Sequence, residues 1–105
     1  MNYPLIHKEE ERYYAFEIEG KIAKVQYVRK DHKFFLTHTE VPEPLAGQGI
    51  GSALVEAVLA EVERNHWIVI PLCPFADTYI QEHPKWKHLL MKGLKIKRKH
   101  PVNKK

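Results

Sequence analysis

The segment Gly47-Gln48-Gly49-Ile50-Gly51 is the first place in this sequence where residue type and spacing point to chemistry. It follows Pro42 and Pro44, which end an extended segment, and it precedes a long amphipathic run. In the first turn of a helix the backbone N–H groups have no partners within the helix, and the helix dipole adds positive potential there. Glycine lets the chain turn sharply and lets a pyrophosphate approach without a Cβ in the way, so the segment reads as a phosphate cradle. The plainer alternative is a tight loop that binds nothing. The Gly-Lys-Ser/Thr ending of a P-loop is missing. So are the length and repeated βαβ pattern of a dinucleotide fold. Gly51 and Ala53 would also let the helix pack close to a sheet.

The elements around this turn follow from hydrophobic period. Residues 13–19 alternate, with Tyr14, Phe16 and Ile18 set against Ala15, Glu17 and Glu19, as a half-buried strand does. Gly20-Lys21 offers a turn, and 22–28 follows as a second strand, so the two predict a hairpin. A third strand covers 34–41, rich in aromatic and β-branched residues. After the glycines the period changes. Ile50, Ala53, Leu54, Ala57, Val58 and Val62 fall on one helical stripe, widened by Val55 and Leu59. Residues 67–72 form a nearly all-apolar strand, the pattern of a strand covered on both faces. Strand, helix and strand make a βαβ unit, so its two strands should lie parallel. A shorter helix is predicted from Pro74 to Glu82, and another after His83-Pro84 carrying Trp86, Leu89 and Leu90. The fold class is therefore α/β: a mixed sheet with antiparallel strands first, one parallel crossover, and helices on both faces.

With 105 residues, 44% of them hydrophobic, the chain makes one domain with a small core. We place that domain at 1–92 and a basic tail at 93–105. No apolar stretch reaches membrane-span length, and the amino terminus lacks a signal-peptide profile. The lone Cys73 agrees with a cytoplasmic protein, since a secreted domain this small usually needs several disulfides. Much of the net charge of +4 lies in the tail. No aromatic residue interleaves those charges to stack on bases, so the tail reads as a solvated end rather than a nucleic-acid site. The 7 histidines are scattered, and no metal site follows from their spacing. A monomer or weak dimer is expected.

From Gly47 onward, Ala46-Gly47-Gln48-Gly49-Ile50-Gly51-Ser52 resembles the Arg/Gln-x-x-Gly-x-Gly/Ala signature of the GNAT superfamily of N-acetyltransferases. His38-Thr39-Glu40-Val41-Pro42, Cys73 and His83-Pro84 narrow the resemblance to small stand-alone N-acetyltransferase domain proteins. It spans about residues 12–91. It implies acetyl-coenzyme A as cofactor and an amine as acceptor. It also implies that the residues around Val41 pair with the pantetheine arm. The backbone of Ala46, Gly47, Gln48, Gly49, Ile50, Gly51 and Ser52 would hold the pyrophosphate, and the strands at 34–41 and 67–72 would splay to form the cleft. Ala46 departs from the Arg or Gln usual at its position, and the superfamily's amino-terminal helices are missing.

Acetyl transfer from a thioester to an amine needs a deprotonated amine, an aligned carbonyl and a proton for the departing thiolate. Pro74 suits the first helical position, which puts Cys73 at a helix cap, where a thiolate is favoured. Cys73 is then a candidate nucleophile or neighbour of the acetyl group, set against a buried cysteine acting as a small apolar residue. His38 and Glu40 share one strand face and are candidate bases, set against a packing histidine and a solvated carboxylate. Tyr79 stands one residue before the position the superfamily's acid occupies, so it is a candidate acid set against core packing. The expected function is acetyl-coenzyme A-dependent N-acetyl transfer, directly or assisted by Cys73. The alternatives are a non-catalytic coenzyme A-binding module and nucleic-acid binding through the tail.

Overall fold

The computed structural model describes residues 3–90; the tail expected at 93–105 lies outside them. Five strands form one sheet in sequence order: β1 (Ile6–Lys8), β2 (Tyr13–Ile18), β3 (Lys21–Lys30), β4 (Lys33–Glu40) and β5 (Ile68–Pro71). The first four pair antiparallel, and β4 pairs parallel with β5. Helix α1 (Ile50–Arg64) is the crossover between them, and α2 (Pro74–Glu82) follows β5. No helix among the described residues is long and apolar enough to cross a membrane.

Two elements differ from the sequence pattern. Strand β1 has only 3 residues, too few to show a period, and it exists because Ile6, His7 and Lys8 pair with Ala15, Tyr14 and Tyr13. The segment Pro84–Leu89 is a 3-10 helix rather than an α-helix, and its C-cap Leu90 turns extended and bridges to Val69.

One face of the sheet, bearing Tyr14, Phe16, Ala23, Val25, Tyr27, Phe34 and Leu36, packs with the helices into a single core. On α1 the fully buried side chains are Ile50, Leu54, Val55, Val58, Leu59 and Val62, while Ala53 and Ala57 flank them half-exposed. The helix is thus rotated so that its bulkiest side chains, not its alanines, meet the sheet. Helix α2 joins the same core through Ala76, Tyr79 and Ile80 and lies beside α1. The two α-helices therefore share one face, rather than dividing between both. The apolar run of β5 matches its burial on both faces, since the alternate residues Val69 and Ile70 are 0% and 4% exposed. On the other face Lys24 and Gln26 are half-exposed, and His38 and Glu40 are exposed.

Two features of β4 position the site. Its ladder with β5 ends at the Leu36–Pro71 pair, extended only by Cys73 N–H donating to the Leu36 carbonyl at 2.9 Å. Its register with β3 also shifts: Gln26 opposes His38, but Tyr27 opposes Leu36, leaving Thr37 as an extra residue. Such a bulge bends the strand and re-aims the side chains beyond it. The buried alternation of Phe34 and Leu36 would have continued to His38. Instead Thr39 opposes Val25 and takes its face, the one the helices cover.

Candidate active site

Pro42 cannot continue the ladder, and the chain leaves β4 through a 3-10 turn, Glu43–Leu45, closed by Leu45 N–H to the Pro42 carbonyl at 2.9 Å. Leu45, 4% exposed, anchors that turn in the core. The glycines then serve two different purposes. Gly47 and Gly49 adopt φ of 78° and 77°, the left-handed region that glycine enters without penalty. Gly51 is needed for space: a Cβ there would stand 3.1 Å from Phe75 Cζ and 3.3 Å from Val41 Cγ2.

Gly49 is the N-cap of α1, with no side-chain cap. The first intrahelical bond runs from Ala53 N–H to the Gly49 carbonyl at 3.0 Å, so the N–H groups of Ile50, Gly51 and Ser52 precede the helical ladder. The same three residues help line a cleft of about 240 Å³, with Val41, Ala46, Gly47 and Gly49 and with Leu45 and Phe75. Gln48 does not line it; its amide instead reaches the Pro44 carbonyl at 3.3 Å. The cleft has an amide-rich end and an apolar wall, and neither Lys nor Arg lines it. Those properties fit a ligand carrying a pyrophosphate on a largely apolar arm, held by backbone rather than by paired charge.

Beyond the last β4–β5 pair, Cys73 caps α2 with Pro74 at its first turn. The thiol is buried, 4% exposed, and lies 3.3 Å from the Thr39 hydroxyl. His38 and Glu40 do share a face, but it is the opposite, open one, where they oppose Gln26 and Lys24. Tyr79 is buried, stacks on His83 with centroids 3.9 Å apart, and donates to the Glu56 carboxylate at 2.5 Å. Burial first, and then this bond to Glu56, pushes the Tyr79 pKa up. The same bond, followed by that from Lys85, holds Glu56 below the usual carboxylate range. Tyr79 is absent from the cleft lining.

The family model for GCN5-related N-acetyl-transferases matches residues 12–89, most of the chain. The chain belongs to this acetyltransferase family. The solution structure of a GCN5-like protein from Staphylococcus aureus has the same fold, with a TM-score of 0.69 over 95% of this chain and 98% of that one, at 22% identity. No curated protein matches at significance. As a GCN5-related acyltransferase, the chain puts its glycine turn at the start of the crossover helix and parts β4 from β5 beside it.

Three residues near this site escaped the sequence pattern. Leu45 and Phe75 form the apolar wall, and Phe75 remains 43% exposed there. Thr39 reaches the thiol only because of the bulge, which no periodicity reveals. The pairing of Gly51 with Phe75 was partly readable, since a glycine inside the first helical turn signals a close neighbour.

Tyr79 is buried and bonded to Glu56, outside the residues that line the cleft. Glu56, with a lowered pKa, contributes stability that is present above about pH 4.5, its ordinary value, and is lost as pH falls through the lowered one. Tyr79→Phe should therefore cost about 1 kcal/mol at pH 7, and the deficit should narrow below about pH 4. Acetyl-transfer kcat should stay near wild type, measured beside thermal melts at both pH values; a loss of a hundredfold would make Tyr79 the acid.

Proposed function

We propose that the protein transfers an acetyl group from acetyl-coenzyme A to an amine acceptor within the cytoplasm. One observation carries this reading: seven residues expected to contact the cofactor, Val41, Ala46, Gly47, Gly49, Ile50, Gly51 and Ser52, line one cleft at an uncapped helix start. The N–H groups of Ile50 to Ser52 hold the pyrophosphate. Gly47 and Gly49 keep side chains out of its way, and Val41, Leu45 and Phe75 pack along the arm. The edge of β4 beyond Leu36, unpaired with β5, receives the arm in strand fashion.

The transfer itself is direct attack of the amine on the thioester carbonyl. The Cys73 thiol has one hydrogen-bond partner among the described residues, the Thr39 hydroxyl, and no imidazole or amine among them touches its sulfur to activate it. We assign Cys73 and Thr39 to positioning the acetyl end. His38 and Glu40 stand exposed on the open face, where an acceptor approaching from solvent meets them and where either can take its proton.

Ser52 is exposed in the first turn of α1, so Ser52→Glu suits both the fold and the helix dipole while placing negative charge where the phosphates sit. Calorimetry should show micromolar binding of acetyl-coenzyme A to wild type and at least tenfold weaker binding, about 1.4 kcal/mol, to the variant. Its melting temperature should be unchanged or higher. Equal affinities would remove the glycine turn from the binding site. For the chemistry, Cys73→Ala should retain kcat within about tenfold, whereas an acyl-enzyme route predicts loss of turnover with binding intact.

A further inference from the structure

A second hollow lies at the other end of β4. It has a volume of about 170 Å³ and is lined by Glu9, Arg12, Tyr27 and Arg29. Arg29 opposes Phe34 near the start of β4, while the acetyl-coenzyme A cleft begins at Val41. At strand rise that separation is roughly 23 Å, too far for one ligand's phosphates to be shared between the two.

Arg29 and Tyr27 of this hollow are held by side-chain contacts. The Arg29 guanidinium stacks over the Trp67 ring at 4.9 Å and donates to the Asp31 carbonyl at 2.5 Å. The backbone of Arg12 is held by its left-handed turn, φ 63°, and by its carbonyl, which accepts from Tyr27 N–H at 3.0 Å, so the point where its side chain leaves the chain is set. Tyr27 is 6% exposed, and its hydroxyl lies 2.5 Å from His7 Nε2. Around that hydroxyl, burial and then Glu9 raise the phenol pKa, while Arg29 and Arg12 oppose them. The phenol stays protonated, and when His7 Nε2 carries its proton and donates to the phenol oxygen, the phenol proton is free for a ligand.

Among the described residues neither arginine pairs with a carboxylate. The ion pairs among the described residues are Arg64–Glu61, Lys85–Glu56 and His88–Glu63, and Glu9 does not come within pairing distance of Arg12 or Arg29. Two guanidiniums facing one hollow are the donors that planar or tetrahedral oxyanions match best. We infer that this hollow binds a small oxyanion, a phosphate or carboxylate group, between Arg12 and Arg29, with the Tyr27 hydroxyl as third donor. Glu9 leaves one net positive charge and so limits the affinity. The site is independent of the acetyl-coenzyme A reading.

Its test uses the full chain, titrated with sodium phosphate and, separately, with sodium acetate at constant ionic strength in sodium chloride. The readout is the indole N–H resonance of Trp67, which lies under Arg29. A saturable shift in the millimolar range is expected with at least one anion, and the tighter of the two identifies the class. Arg12→Gln should weaken it at least tenfold, as should Arg29→Lys, which keeps the charge but loses the fork. Glu9→Gln should tighten it several-fold, and Ser52→Glu should leave it unchanged. The inference is overturned by a shift no larger than chloride alone produces, by an unchanged response in Arg12→Gln, or by weaker binding in Glu9→Gln. That last result would make Glu9 the partner of the arginines. Melting curves of each variant confirm that a lost response is not a lost fold.

Discussion

Everything distinctive about the proposed site depends on one extra residue in β4. By adding Thr37 without adding a partner on β3, the strand changes which of its side chains face the helices. Thr39 and Val41 turn toward α1 and α2, and His38 and Glu40 turn to the open face. Without the bulge, His38 would be driven into a core made of Val25, Leu36 and their neighbours. That would be costly for a polar ring without a partner. The bulge also coincides with the end of the β4–β5 ladder. A parallel pair that continued to Glu40 would close the gap that the acetyltransferase reading needs.

The glycine turn is the second half of the same device. Once Pro42 ends the strand, the chain has few residues in which to reverse and start α1. It does so through two left-handed glycines and a buried Leu45. The cost is a helix start without a side-chain cap. That is a deficit in the free protein, and a phosphate-bearing ligand would relieve it. Gly51 links the turn to α2, because the Phe75 ring occupies the space a side chain would need. The start of α1, the end of β4 and the start of α2 are thereby fixed against one another before any ligand arrives.

Much of this was legible in the sequence. The period change at the glycines put the helical stripe from Ile50 to Val62, which lies inside the observed α1, and Pro74 placed Cys73 at the cap of α2. Those signals are local, so they survive without knowledge of the rest of the chain. The facing of His38 and Glu40 was readable only relative to each other. Their relation to Cys73 depended on a register shift between two strands, which is a non-local fact. For the same reason the side of the sheet taken by α2, the short strand β1 and the hollow formed by Arg12 and Arg29 left no mark in any periodicity. Tyr79 illustrates a different gap. Its partner Glu56 lies 23 positions away on another helix, and only packing brings them together.

The most direct test of the central claim follows backbone amide resonances in the full chain as acetyl-coenzyme A is added. The largest shifts are expected at Gly47, Gly49, Ile50, Gly51 and Ser52. Smaller shifts should run through Val41 and Phe75, with Arg12, Arg29 and Trp67 nearly silent. Saturable shifts centred anywhere else, with the amides of Ile50 to Ser52 unmoved, would contradict it.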